Sequence, residues 1–479
     1  MPLSRRLATG LATATATVLV AVPLTVAAAP VPPDAAARDA ASWLAGEFTD
    51  GSLPGPFGGP DWGLTIDGIV ALSATGVDAP TRQAATAQVA AHVRAYNSYD
   101  DWGIPGFTDG GATAKLLYAA SAAGADPTDF GGYDLRAETL SLIAGAGAGH
   151  QRGRVTSRTT ADSGPDASNT FDQSFAVLGL ARSGDVPQDT VDFLIRQQCA
   201  AGGFRLYPDT GQGPSPSCDE QPDAVLDVDS TAMAVQALLA AAGDGADGAA
   251  NAARRGADWL VARQRADGSF GGSGPTTGAN ANSTGLAGQA LTAAGRHPEA
   301  DRAAQALAGW QLTGANGGAA AAEAGAVAYD TAGFTAAVAA GITDTDRDQW
   351  RRATAQALLG LARVPLGRIG LDPPPTSAPP TSASPTSPSS TPTGTAPPTP
   401  TATPTPTGTT PTGPTPSATV TSPPGTTPSP GGVPGTTPAG PGSGGLPTTG
   451  AAITSYVLVA LLLVGAGVVL LVLGRRRTA

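Results

Sequence analysis

Six times along the chain an acidic or amide residue opens a stretch of small apolar residues that closes on glycine. The stretches are Asp67 to Gly76, Asp109 to Gly124, Asp172 to Gly184, Asp229 to Gly243, Asn282 to Gly295 and Asp330 to Gly341. Asp and Asn accept the free N–H groups of a first helical turn, and glycine supplies the left-handed residue that ends a helix. Small apolar side chains on nearly every face mean burial on every side, so these six stretches read as inner helices.

A more amphipathic stretch precedes each one: Ala35 to Phe48, Pro80 to Tyr96, Leu135 to Ala148, Gln188 to Gln198, Ala249 to Gln264 and Asp301 to Gln311. Each has Arg, Gln, Asp or Glu on one face, as expected of an outer layer. Six outer and six inner helices in alternation predict an all-α fold, an α6/α6 toroid over residues 30–364, expected to be monomeric. A further helix, Asp346 to Arg363, is expected to pack outside the ring.

The ends of the chain differ from this repeat. Arg5 and Arg6 precede an apolar run from Leu7 to Val26 and then Ala27, Ala28 and Ala29, the pattern of a secretory signal peptide over residues 1–29. Within the stalk, residues 365–445, the 73 residues from Pro373 to Gly445 are almost wholly Pro, Thr, Ser, Gly and Ala. Such a segment cannot bury enough apolar surface to fold and favours polyproline II, with a reach of at most about 230 Å. It reads as a disordered stalk. The uncharged run 451–473 gives about 35 Å of helix, enough for one membrane span. Arg475, Arg476 and Arg477 in the tail, 474–479, fix the orientation with everything upstream outside.

Leu446, Pro447, Thr448, Thr449 and Gly450, followed by that span and basic tail, resemble the LPxTG cell-wall sorting signal of Gram-positive surface proteins. The resemblance implies two partners, sortase and peptidoglycan. It makes Thr449–Gly450 the cleaved bond and Thr449 the point of covalent attachment, and it implies a secreted, wall-anchored protein that is single-pass before processing.

With the five terminal arginines set aside, 22 basic residues face 38 acidic ones, a balance of −16. Nucleic acid and anionic lipid both need a basic footprint, and neither is an expected partner. Aromatic residues make up only 5% of the chain, against the broad aromatic-lined chamber of a carbocation enzyme.

The stretch Arg255-Gly256-Ala257-Asp258-Trp259-Leu260, then Gln264 and Asp267-Gly268-Ser269-Phe270, resembles the QW repeat of squalene and terpene cyclases. Asp227-Val228-Asp229-Ser230-Thr231-Ala232 is similar to their DxDDTA segment. The resemblance implies an α/α toroid of the prenyltransferase and squalene-cyclase type, and makes Asp227 and Asp229 candidate acid catalysts, Asp229 being the proton donor. The third acid of that segment is Ser230 here. Every inner stretch opens on Asp or Asn, so helix capping is the competing role for Asp229, and the one expected. The single-toroid prenyltransferase β-subunit holds zinc with Asp, Cys and His, but His92, His150 and His297 are far apart without neighbouring ligands. No metal and no cofactor are expected.

Cys199 and Cys218 are the only cysteines, and in an exported chain a disulfide is the default. Cys218-Asp219-Glu220-Gln221 also resembles the CGEQ thioester of complement-type proteins, which leaves a Cys218–Gln221 thioester as the alternative.

In a toroid the inner helices run parallel, so their N-termini and the outer-to-inner loops share one mouth. Candidate ligand residues there are the aromatics Trp62, Trp102, Phe204, Tyr207, Phe270 and Tyr329, with the carboxylates Asp67, Asp109, Asp172 and Asp229. The competing role for each ring is to plug the barrel end. Two functions stay open. The favoured one is wall display of a recognition or structural module for an unknown extracellular ligand. The other is a secreted terpene-cyclase-like or polysaccharide-acting enzyme using Asp227 and Asp229.

Overall fold

The computed structural model describes residues 33–371, apart from 211–212. The signal peptide, most of the stalk, the sorting motif, the span and the tail all lie outside the described residues. Among the described residues no helix is long and apolar enough to cross a membrane.

Helices dominate. The chain runs through α1 (Pro33–Gly46), α2 (Trp62–Thr75), α3 (Ala79–Ala91), the short α4 (Val93–Asn97), α5 (Gly110–Ala123), α6 (Leu135–Ser141) and α7 (Thr170–Ser183). It continues through α8 (Gln188–Arg196), α9 (Val228–Gly243), α10 (Ala249–Arg263), α11 (Ala281–Ala293), α12 (His297–Gly309), α13 (Thr331–Ala340) and α14 (Arg347–Ala362). Four two-residue strands sit in the loop before α9: β1 (Phe204–Arg205), β2 (Asp209–Thr210), β3 (Gly213–Pro214) and β4 (Leu226–Asp227). β1 pairs antiparallel with β4, placing Phe204 opposite Asp227.

An inner ring closes on itself. α2 packs on α5, α5 on α7, α7 on α9, α9 on α11, α11 on α14, and α14 back on α2. Outside it α3, α6, α8, α10, α12 and α1 each bridge two inner neighbours, giving six helices in each layer.

The sixth inner helix is α14, not the stretch after Asp330, and this corrects the expectation that Asp346 to Arg363 packs outside. α13 is largely exposed and lies against the 3-10 turn Gly318–Glu323, whereas Trp350, Ala353, Ala355, Leu358 and Leu361 of α14 are buried. The charges that made α14 look like an outer helix are paired. Arg347 donates to Glu47 at 2.6 Å and to Glu323 at 3.0 Å, Arg351 donates to Glu47 at 2.8 Å, and Arg352 donates to Asp61 at 2.5 Å and Asp348 at 2.8 Å. Pairs that join the last inner helix to the first loop offset much of the cost of covering them.

α14 meets α11 backbone to backbone. A Cβ at Gly360 would stand 2.8 Å from the Gly285 Cα, and one at Gly285 would stand 2.3 Å from the Gln356 carbonyl oxygen. Only glycine permits that approach.

The QW-like motif explains the outer layer. Gln198, Gln264 and Gln311 each follow an outer helix, and each side-chain amide donates to a carbonyl of the next one: Ala252 at 2.9 Å, Glu299 at 2.8 Å and Ala36 at 2.8 Å. The last of these joins α12 to α1 and closes the outer ring.

The fold does not stop at residue 364. Pro365 to Leu371, assigned above to the stalk, crosses the base of the ring where the inner helices end. Leu366 and Ile369 are buried, the Leu366 N–H donates to Gln236 at 2.8 Å, and the Tyr118 hydroxyl donates to the Leu366 carbonyl at 3.1 Å. Tethered apolar residues hold this short segment although its composition is poor for folding.

Cys199 and Cys218 form a disulfide spanning 19 residues. It rules out the thioester, and the Gln221 side-chain oxygen accepts instead from Arg205 at 2.5 Å. Closing a loop of that length contributes about 3 kcal/mol in the chain-entropy account. The loop it restrains carries Tyr207 to the mouth.

Candidate functional site

The caps decide which carboxyls are free. α2, α5, α7, α9 and α11 are capped by Asp61, Asp109, Asn169, Asp227 and Asn280, each accepting from backbone N–H groups of its own first turn. Four residues after four of these caps stands a threonine whose hydroxyl donates to the cap's carbonyl, Thr65, Thr113, Thr231 and Thr284; at α7 the position is Gln173, which holds Gly153 and Thr190 instead. Thr231 shows the pattern, donating to the Asp227 carbonyl at 2.6 Å and accepting from the Phe204 N–H at 2.9 Å.

Asp229 is therefore not a cap, which corrects the capping role expected for it. It lies two residues inside α9, while Asp227 accepts from the Ser230 N–H and hydroxyl, both at 2.7 Å. Asp67, Asp172 and Asn282 are likewise inside their helices. The signal that finds the true caps is the repeated Asp/Asn-x-x-x-Thr spacing.

Freed from capping, Asp172 and Asp229 stand in the first turns of inner helices, at the mouth end of the ring. Asp229 retains an enclosed Oδ1 with no hydrogen-bond partner, and its Oδ2 faces Gly272, where a Cβ would stand 3.1 Å away. Burial, and then the charge of Asp227, push the Asp229 carboxyl up to about 8, with the Ser283 hydroxyl pulling the other way. By exposed area the residue is only partly covered, yet its desolvation is that of an enclosed group.

A second acidic pair stands on the adjoining helices. Asp172 is 2% exposed; its Oδ2 accepts from the Asn169 N–H at 2.8 Å, and its Oδ1 has no partner. Its carboxyl presses on the α5 backbone so closely that a Cβ at Gly111 would meet Asp172 Oδ1 at 2.0 Å. Burial and the Asp109 charge raise Asp172 to about 8. Burial, opposed by the Ala112 N–H, raises Asp109 to about 7.

Tyrosines stand among these acids. Tyr96 is raised well above its ordinary value by burial and then by Asp67, Asp109 and Asp172. Burial raises Tyr207 and Tyr329 too, Asp172 and Asp227 adding to the first and Asp229 and Asp330 to the second. All three remain neutral hydroxyls able to donate or accept.

Asp67 belongs to the floor. Lys115, the sole lysine of the chain, is 3% exposed and pairs with Asp67 at 2.7 Å, also donating to the Gly63 carbonyl. Burial nevertheless raises Asp67, against the pull of Lys115. Below lies a cavity of about 20 Å³ lined by Val70, Tyr118, Phe175, Met233 and Leu286, room for about one water.

The rings divide between rim and core. Phe204 and Phe270 are fully buried plugs, so neither is available to a ligand, a correction to their place among the mouth candidates. Trp102 and Tyr207 are exposed on outer-to-inner loops, as is Phe57, which the sequence reading missed. Tyr329 is half-buried, and Trp62 stacks on His92 at 4.4 Å. Among the described residues no cluster of His, Cys, Asp and Glu could hold a metal ion.

No family model matches the chain, and no curated protein matches it. Similar solved structures include a protein from Actinoplanes at 18% identity and TM-score 0.44, covering 69% of this chain and 99% of that one. An α-1,6-mannanase from Salegentibacter sp. HEL1_6 matches at 12% identity and TM-score 0.47, over 69% and 99%. An unsaturated glucuronyl hydrolase specific for heparin matches at 12% identity and TM-score 0.45, over 70% and 98%. At such values the chemistry of the site rests on this chain's own side chains.

Proposed function

We propose that the toroid is a polysaccharide-acting hydrolase that works on neutral or amine-bearing glycans, exported and displayed on the cell wall. The observation that carries this reading is Asp229: a carboxyl at the mouth, free of capping, with an unpartnered oxygen and an affinity for its proton high enough to hold it at neutral pH. Glycoside hydrolysis needs such an acid to protonate the leaving oxygen, and a second carboxyl to activate water or attack the sugar. Asp229 is the proposed acid. The Asp109–Asp172 pair, which shares its protons near neutrality, is the proposed source of the base. Exposed Trp102 and Tyr207 offer apolar faces for sugar C–H groups, and Tyr96 and Tyr329 offer hydroxyls.

Terpene cyclisation fits poorly. A polyprene needs an apolar chamber of about 300 Å³ or more, and the axis of this barrel leaves about 20 Å³. Polyuronates fit poorly as well. Lys115 and Arg352 are engaged by Asp67, Asp61 and Asp348, and Arg158 beside Thr108 is exposed, so a uronate would meet more carboxylates than unpaired cations.

Reducing-end release from a panel of soluble polysaccharides tests the reading. Hydrolysis of at least one neutral or amino-sugar polymer is expected; hydrolysis confined to polyuronates, or none across the panel, would refute it. For display, Thr449→Ala is expected to move the protein from the wall fraction freed by muramidase into the membrane or the medium. Unchanged covalent linkage to peptidoglycan would overturn the sorting proposal.

A further inference from the structure

The base of the ring carries a second hollow, of about 430 Å³, at the far end from the mouth. It lies between the ends of α7, α9 and α11 and the crossing segment Pro365–Leu371. Leu239, Ala240, Ala293 and Leu371 give it apolar walls, and Arg182 and Arg368 give it two guanidinium groups.

Neither arginine has a carboxylate within 4.0 Å among the described residues, and Asp244, the acid on the wall, pairs with neither. Arg182 uses its two terminal nitrogens on the Gly367 carbonyl at 3.0 Å and the Ser121 carbonyl at 3.1 Å, while its Nε is enclosed without a partner. Arg368 is exposed; its backbone bonds Pro365 and Leu371, and its guanidinium makes no hydrogen bond to a described residue. Burial, and the neighbouring Arg368 charge, push Arg182 down from its ordinary value.

Two like charges that no described carboxylate pairs, beside an apolar hollow, are unfavourable in isolation, and an anion placed between them removes that cost. Guanidinium groups suit an oxyanion, and the apolar walls suit a short hydrocarbon attached to it. We propose that this hollow is a binding site for an oxyanion on a short apolar body, a phosphate or carboxylate carrying a few carbons. The site is separate from the acidic mouth and independent of the hydrolase reading.

Hexyl phosphate, hexanoate and inorganic phosphate are the probes, titrated calorimetrically into the purified full chain. Saturable 1:1 binding of hexyl phosphate or hexanoate at about 1 mM or tighter is expected, with inorganic phosphate at least about ten-fold weaker. The tighter of the two alkyl probes identifies the head group. Arg368→Gln, at an exposed side chain that holds nothing in place, should weaken the alkyl probe at least about ten-fold without lowering Tm. No saturable binding to the wild type, or equal binding to Arg368→Gln, would overturn the proposal. So would binding that appears only in Asp372→Asn, because the chain's own Asp372 would then be the anion.

Discussion

Replacing Asp229 by Asn is expected to lower glycan hydrolysis by about 10³-fold while making the protein more stable at neutral pH. The loss follows from removing the proton donor, an effect of roughly 10²–10⁴ for a positioned acid. The gain follows from proton linkage. An unfolded Asp loses its proton near 3.9, whereas the native group holds it to about 8. Between those values the native state binds more protons than the unfolded one, so stability falls by about 1.4 kcal/mol per pH unit for this group. Asn keeps the shape of the protonated acid and removes that slope. The variant should therefore exceed the wild type in urea midpoint at pH 7 to 8, and the difference should vanish toward pH 4. Hydrolysis at wild-type rate, or a variant less stable at pH 7.5, would count against Asp229 as an enclosed, protonated acid.

Gly360→Leu is expected to destabilise the protein by about 3 kcal/mol, at the upper end for overpacking. Gly360 sits where α14 and α11 touch through their backbones, and a branched side chain there must push apart two inner helices and open the ring. Ala339→Leu is the contrast, placed on an exposed position of α13, and should cost under about 0.5 kcal/mol. Denaturant unfolding of the pair decides which helix closes the barrel. Equal losses would mean that α13 is inside.

The alternation of amphipathic and small-apolar stretches was legible because period and capping act locally. The sixth inner helix was not, because the charges Arg347, Asp348, Arg351 and Arg352 look solvated until Glu47 and Asp61, some 300 residues earlier, are brought beside them. The apolar α13 shows the opposite: its partner is only the short 3-10 turn Gly318–Glu323, so most of its small side chains stay at the surface.

Asp109 caps its helix as expected, but the caps of α2, α7, α9 and α11 are Asp61, Asn169, Asp227 and Asn280 rather than Asp67, Asp172, Asp229 and Asn282. Asp227 and Asp229 are both acceptable caps by residue type, and the Ser230 N–H on the Asp227 carboxylate, with the Thr231 hydroxyl on its carbonyl, fixes the register. Phe204 and Phe270 read as rim residues because both lie on outer-to-inner loops. Their backbone N–H groups are held by Thr231 and Thr284, which turns both rings inward.

The proton on Asp229 at neutral pH is the point on which hydrolysis at this mouth turns. Carboxyl ¹³C NMR of the protein, wild type against Asp229→Asn, isolates that one group as the signal missing from the variant. A midpoint at about 8 is predicted. A midpoint near 4, the value of an ordinary solvated aspartate, would mean that no proton is held there for a leaving sugar and would contradict the mechanism.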